Sequence, residues 1–286
     1  MQKKIGFGVI GCGDASDRYC EGAAYCPNTK LVMVMDKLKK IARNCGEKYK
    51  VPYTDDLQDM LDNKEVEAVV VVTPHYLHSP IAIQCAKAGK HIMCDKPIAT
   101  TLAEAKKMIK ECRNAKVKLG INFVMRYQSN NIKAKQLIEK GVIGEIINIK
   151  VSSFSFKDPA YWTQGYRKKV ITDWRGNKKK SGGGVLIMNF SHHIDLIRFI
   201  SGLKVEKVSS VYGTFNSPEG VEVEDTLNTT LKFNNGALGS ISTSTIAYGG
   251  GENNICIMGT KGQIVLLCDP MKVYTTANYA GLTKNQ

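Results

Sequence analysis

Two glycines, Gly11 and Gly13, follow an apolar run from Ile5 to Ile10, and Asp14, Ala15 and a small Ser16 come next. Glycine is what a chain needs where it turns sharply from strand to helix and where a phosphate must meet bare backbone N–H groups. A G-x-G alone is a weak signal, since glycines sit in many such turns. Here a strand pattern precedes it, a helix pattern follows, and an acid, Asp36, closes the next apolar run roughly 20 residues on. A carboxylate at that place accepts hydrogen bonds from both hydroxyls of an adenosine ribose and repels a 2′-phosphate. The pattern reads as a dinucleotide site that favours NAD over NADP, with Lys37 and Lys39 softening the repulsion.

Two further segments carry polar groups where a plain connection needs none. Thr73-Pro74-His75-Tyr76-Leu77-His78 follows a run of valines, and Cys94-Asp95-Lys96-Pro97 follows the next apolar run. Ligands of parallel α/β sheets bind beyond the carboxyl ends of the strands. Thr73, Pro74, His75, His78, Asp95 and Lys96 therefore join Gly11, Cys12, Gly13, Asp14, Ala15 and Asp36 as expected cofactor contacts. Pro97 restricts Lys96 to extended backbone, and a lysine there can bond a substrate hydroxyl and polarise the carbonyl it becomes. In a third segment Gly182-Gly183-Gly184 opens a helical pattern on which Val185, Met188, Asn189, His192 and Leu196 share one face. A lone helical histidine is usually a core residue, but three glycines let a ligand approach closely. His192 is thus expected to work beside Asn189, with His193 pointing about 100° away. Arg126, Tyr161, Trp162 and Arg175 are further candidates for substrate contact.

The elements that must position these groups are legible from periodicity. Strands are expected at Ile5 to Ile10, Leu31 to Met35, Ala68 to Val72, His91 to Cys94 and Lys118 to Asn122, alternating with helices at 16–26, 38–49, 55–62, 79–88 and 101–115. Thr101, three residues before Glu104, is a capping box for the last of them. After a helix at 131–139 the texture changes. Strands are expected at 145–156, 205–215, 225–233, 237–246, 254–258 and 263–267, with one helix at 185–200. The fold class is α/β: a Rossmann dinucleotide-binding domain over 1–123, then an α+β domain over 124–286 with an open, mostly antiparallel sheet. An open sheet leaves a face to cover, so a homodimer or homotetramer is expected.

With 286 residues, 43% apolar and 23% charged, the composition is that of a globular protein. The longest apolar runs are far short of the roughly 20 residues that cross a bilayer. No apolar leader follows Met1-Gln2-Lys3-Lys4, and a cytoplasmic protein is expected. Nine scattered cysteines without a Cys-x-x-Cys pair argue against a metal site or a disulfide framework, and Cys12, Cys85 and Cys94 read as small hydrophobes. The net charge of +14 attracts polyanions, but most of the lysines alternate with acids on helices and lack interleaved aromatics, so no nucleic-acid partner is expected. The exception is Arg167 to Lys180, a basic stretch beside Trp162 and Trp174, which reads as an anion-binding segment or a mobile loop. The tail from Thr275 to Gln286 reads as disordered.

GCGDAS, Asp36, TPHYLH, DKPIA and SGGGVLIMNFSHHID, in this order, resemble the Gfo/Idh/MocA family of glucose-fructose oxidoreductase-like and inositol dehydrogenase-like proteins, over about residues 4–267. The resemblance implies a Rossmann domain followed by an open mixed sheet that shields the nicotinamide. It implies that Lys96 contacts substrate and nicotinamide, that His192 is the acid/base, and that the substrate is a sugar, inositol or related polyol. Relatives that oxidise, eliminate and re-reduce as glycosidases, and a regulatory protein that only senses NAD, remain open beside a dehydrogenase. Three departures stand out: Asp95 replaces the usual Glu, Met188 occupies the place of an acid one turn before the histidine, and the chain closes some tens of residues earlier than the family leads one to expect. Without the acid, Asn189 or water has to orient His192.

Overall fold

The computed structural model describes residues 3–251, 253–266 and 270–277; residue 267 and the expected disordered stretch beyond residue 277 lie outside the described residues. The chain forms two compact units. The first holds residues up to Asn122 together with Ala160–Gly182, the second Phe123–Pro159 and the chain from Gly183 onward.

The first unit runs β1 (Ile5–Ile10), α1 (Ser16–Tyr25), β2 (Thr29–Met35), α2 (Lys39–Tyr49), β3 (Tyr53–Thr54), α3 (Leu57–Asp62), β4 (Ala68–Val71), α4 (His75–Lys87), β5 (His91–Asp95), α5 (Leu102–Asn114) and β6 (Leu119–Asn122). Among the described residues these strands form one parallel sheet in the order β3-β2-β1-β4-β5-β6. The order reverses direction between β1 and β4, which opens a crevice at their carboxyl ends. β4 shows why the strands read as apolar on both faces. Val69 and Val71 pack into a cluster with Met60, Cys85, Ile92 and Met108, while Val70 and Val72 pack into another with Val9, Cys20, Val34 and Cys45.

Ser79-Pro80 reads as a helix start, yet α4 opens one turn earlier at His75 and runs through Pro80. The proline costs that helix one backbone bond, and the earlier start places His75 and His78 on a helix. The two-residue β3 was not expected, being too short to show a period. Thr101 does cap α5, its Oγ1 accepting from the Glu104 N–H at 3.2 Å. Cys12, Cys85 and Cys94 are buried as expected, and burial pushes the Cys85 thiol up to about 12.

In the second unit a 3₁₀ turn (Val124–Tyr127) leads into α6 (Ser129–Glu139) and β7 (Ile146–Phe154). The short α7 (Ala160–Gln164) and α8 (Lys178–Ser181) belong to the first unit, a return that no hydrophobic period announces. The second unit resumes with a π-turn (Leu186–Phe190), α9 (Ser191–Ser201), β8 (Val205–Gly213), β9 (Thr226–Phe233), β10 (Leu238–Ser244), β11 (Asn254–Gly259), β12 (Gly262–Leu266) and β13 (Lys272–Thr275). Its sheet has the order β13-β12-β11-β7-β10-β9-β8 among the described residues and is antiparallel except for the β7–β10 pair. β13 was not foreseen, and it takes in Thr275, the first residue of the tail expected to be disordered, which is held because its Oγ1 donates to the Val142 carbonyl at 2.6 Å. One face of the sheet packs Ile149, Leu231, Phe233, Ile241 and Ile257 against Leu137 of α6 and Leu196, Ile197 and Ile200 of α9. Along β9 the side chains alternate, Leu227, Thr229, Leu231 and Phe233 buried and Asn228, Thr230 and Lys232 exposed, which leaves the other face bare.

Candidate active site

The turn after β1 is shaped by close approach. Gly11 has φ +98°, and a Cβ on it would lie 2.7 Å from the Val72 carbonyl oxygen at the end of β4. Gly13 differs: a Cβ there would meet nothing within 4 Å. α1 follows with no side-chain cap on its first turn, so its leading N–H groups are offered to an anion. Asp36 is held in place by two backbone donors, the Cys12 N–H reaching Oδ2 at 2.8 Å and the Leu38 N–H reaching Oδ1 at 2.9 Å. A carboxylate has about four lone-pair sites, which leaves room for two ribose hydroxyls. Bare backbone at Gly13, an uncapped helix start and a fixed carboxylate together fit a dinucleotide.

The ends of β4, β5 and β6 carry the next groups. Asp95 Oδ1 accepts from the Lys96 N–H at 2.9 Å and from the Tyr19 hydroxyl at 2.7 Å, and Asn122 Nδ2 donates to the Tyr19 oxygen at 2.6 Å. Burial, then the Asp95 charge, pushes the Tyr19 phenol far up, so it stays a donor. Tyr19 was not singled out from the sequence; only its place on α1, three residues after Ser16, hinted at it. Lys96 is half-buried beside it. His75 Nδ1 lies 2.8 Å from the Ser181 carbonyl oxygen, and its ring packs 4.5 Å from Trp174. Burial, then His78, holds His75 down at about 3, so it is neutral.

The basic stretch around Arg167 to Lys180 folds onto this edge. Arg175 lies over the Tyr161 ring at 5.3 Å and the Trp174 ring at 4.8 Å, with its Nη2 3.7 Å from Asp14 Oδ2. The Arg167 N–H donates to Asp14 Oδ2 at 3.2 Å, and Arg167 and Lys169 both pair with Asp17, which Lys48 also reaches at 3.0 Å. Burial alone would raise the Asp17 carboxyl, but Lys48 and Lys169 bring it down to about 2. Tyr161, Trp162 and Arg175, expected against substrate, thus sit together at the start of α1, and both aromatic rings are buried.

In the second unit the glycine run is closed by a residue the sequence did not flag. Glu224 accepts from the Gly184 N–H at 2.8 Å and the Leu186 N–H at 3.2 Å, while its carbonyl accepts from Val185 at 2.9 Å. A Cβ at Gly184 would lie 1.9 Å from that carbonyl oxygen. The π-turn that follows breaks the expected helical stripe. Val185, Met188 and Leu196 are buried, but Asn189 and His192 remain partly exposed, with Phe123 edge-on to His192 at 6.0 Å. His193 is the buried histidine, stacked on Phe190 at 4.6 Å, and its Nδ1 has no partner among the described residues. Arg126, expected against substrate, forms a two-point pair with Asp195 three residues after His192, and lies over the Phe199 ring at 5.2 Å.

Residues 5–123 match an oxidoreductase family with an NAD-binding Rossmann fold, Gfo/Idh/MocA, and residues 131–265 match the Gfo/Idh/MocA C-terminal domain. The chain belongs to the Gfo/Idh/MocA oxidoreductase family. Myo-inositol 2-dehydrogenase of Thermotoga maritima is 31% identical over 90% of this chain and 73% of its own length. The WlbA dehydrogenase of Bordetella pertussis, solved with NADH and UDP-GlcNAcA, is similar with a TM-score of 0.89 and 28% identity, over 98% of this chain and 80% of that one. Levoglucosan dehydrogenase, solved with NADH and levoglucosan, gives 0.84 and 26% over 97% and 78%. Among the described residues no helix is long and apolar enough to cross a membrane.

Two outcomes follow from this geometry. Gly13→Ala should leave the melting temperature near wild type, because its Cβ enters open space, yet weaken NADH binding about tenfold or more where the pyrophosphate must approach; Gly11→Ala should lower both. Tryptophan-to-NADH energy transfer and calorimetry read the two effects, and equal behaviour of the variants refutes the distinction.

His193 gives a pH signature. Burial first, then His192, depresses it to about 4, so the unfolded chain takes up the proton before the folded one. This share of stability is whole above about pH 6.5 and is lost as pH falls towards 4. His193→Leu should flatten the fall in melting temperature over that window, and an unchanged slope contradicts the assignment.

Proposed function

We propose that the protein is an NAD-dependent dehydrogenase acting on a hydroxyl-bearing carbon of a sugar, inositol or related polyol. The observation that carries this is the convergence, at one sheet edge of a family member, of the bare Gly13 backbone, an Asp36 carboxylate fixed by the Cys12 N–H, and Lys96 held beside Asp95. Asp36 favours NAD over NADP. The nicotinamide, when bound, accepts or returns the hydride. Lys96 donates a hydrogen bond to the substrate oxygen and stabilises the charge that gathers on it. His192 removes the hydroxyl proton during oxidation and gives it back during reduction. Glu224 fixes the start of the helical segment that carries this histidine, and Asp195 with Arg126 braces the turn after it. Arg175, at the start of α1, is best assigned to the pyrophosphate rather than to substrate, since a helix start and a guanidinium both favour that anion. Thr73, Pro74 and His75 line the same edge.

The bare face of the second unit's sheet supports self-association. Val211, Leu238 and Tyr274, which the register places on that face, are exposed apolar side chains, and exposed apolar surface is commonly covered by a second copy. We infer a homo-oligomer built through this sheet.

Incubation with NAD or NADP and a panel of inositols, anhydrosugars and nucleotide-linked sugars should raise NADH absorbance for at least one substrate, with NAD preferred. His192→Ala should then lower turnover by on the order of 100 to 10,000-fold with NAD affinity nearly unchanged, and His193→Ala should do much less. Near wild-type turnover in His192→Ala overturns the role. Sedimentation at micromolar concentration should show at least a dimer, and a clean monomer contradicts the interface.

A further inference from the structure

His78 is 1% exposed on the first turn of α4, and its two ring nitrogens face two different loops. Nδ1 lies 2.7 Å from the Pro97 carbonyl oxygen, Nε2 2.9 Å from the Thr73 carbonyl oxygen. A neutral imidazole has one N–H, and its other nitrogen carries a lone pair. A lone pair set against a carbonyl oxygen at such a distance repels it, so both contacts are hydrogen bonds only when the ring carries two protons. We propose that His78 is a positioning residue, held as an imidazolium that ties the Thr73 carbonyl to the Pro97 carbonyl and thereby fixes Lys96 against the cofactor edge.

The place of the tie explains its use. β4 and β5 are joined by backbone bonds up to the Val71–Cys94 pair. Beyond that point the strands part to form the two loops that carry Thr73, Pro74 and Lys96, and a side chain continues the join where the ladder stops. A backbone bond could not do this, because both partners are acceptors. The charge balance also has a local logic. Burial is the largest influence and on balance draws the ring's proton affinity below that of a free imidazole, so the case for the cation rests on the two short contacts. The two carbonyls and the Asp95 carboxylate favour it, and Lys96 opposes it. His75, whose ring centre is 5.7 Å away on the same helix, is itself neutral, with Arg175 beyond it. Charge-assisted bonds to buried carbonyls are stronger than neutral ones, which lets two of them hold a proton that burial alone would release.

This inference rests on the assignment of Lys96 to the substrate oxygen, and the test separates the two. Long-range nitrogen–hydrogen NMR of the cofactor-free protein labelled at histidine, with the His78 signals identified by their loss in His78→Asn, should show both ring nitrogens protonated at pH 7. A single neutral tautomer overturns the proposal whatever the activity. In turnover with a substrate from the panel, His78→Asn and His78→Gln should lose about 10- to 100-fold in kcat, the scale of a small misplacement, with KM for NAD within about threefold. The kcat of the wild type should also fall as pH rises through the value at which NMR shows His78 losing its proton, a limb the variants lack. A wild-type kcat in a folded variant, or the same pH limb in both, overturns the positioning role. Lys96→Ala serves as the control: if it keeps full turnover, the reading of Lys96 fails while the NMR result on His78 stands by itself.

Discussion

In the first unit the turn after β1 runs close against the end of β4, where a single carbon added to Gly11 would sit 2.7 Å from the Val72 carbonyl oxygen. That approach holds the turn after β1 against the end of β4, and the Cys12 N–H of the same turn reaches Asp36, the residue that follows β2. Three adjacent strand ends are thereby locked to one another by main chain and one carboxylate. Lys96, two strands away from β1 in the order of the sheet, inherits its position from the same lock through β4 and β5. A parallel sheet gathers its carboxyl ends on one side, so residues distant in sequence are brought to one edge without any long-range signal among them.

Charge at this edge is arranged in layers. Asp14 and Asp17 stand at the start of α1, where a carboxylate already gains from the helix dipole, and cations from α2 and from the returning segment surround them. The basic stretch that appeared in the sequence as a loose run of arginines and lysines is in fact spoken for at several of its members. Aromatic rings set the geometry, because Arg175 is flanked by Tyr161 and Trp174 and cannot swing freely.

Much of this was legible beforehand. The valine run could only be a strand buried on both faces, the glycines and acid at Gly11, Gly13 and Asp36 were expected on the strand-end edge where they do meet, and the change of texture after residue 144 gave the second sheet. What escaped did so for physical reasons. Ser79-Pro80 imitates a helix start, so the first turn of α4 was missed. The π-turn at Leu186–Phe190 has no sequence period and interrupts the regular helix expected over 185–200, behind which His193 is buried and His192 stays partly exposed. Tyr19 and Glu224 act through contacts 76 and 40 residues away in sequence, and neither is unusual in its local pattern. The return of residues 160–182 to the first unit depends on specific pairings with Asp14, Asp17 and His75, which composition cannot reveal.

That return has a bearing on how the chain is made. Ribosomes deliver a protein from its N-terminus at about 5 to 20 residues per second, and domains commonly settle as they emerge. Here the six-stranded sheet can be complete at Asn122, with Lys48 already beside Asp17, yet Asp14, the second oxygen of Asp17 and the ring of His75 take partners that lie after residue 160. During that interval β7 and α6 are already outside the exit tunnel. The first unit therefore finishes assembling only when part of the second has been synthesised, so a nascent chain halted between them would carry a helix start with Lys48 as its cation and without Arg167, Lys169 and Arg175.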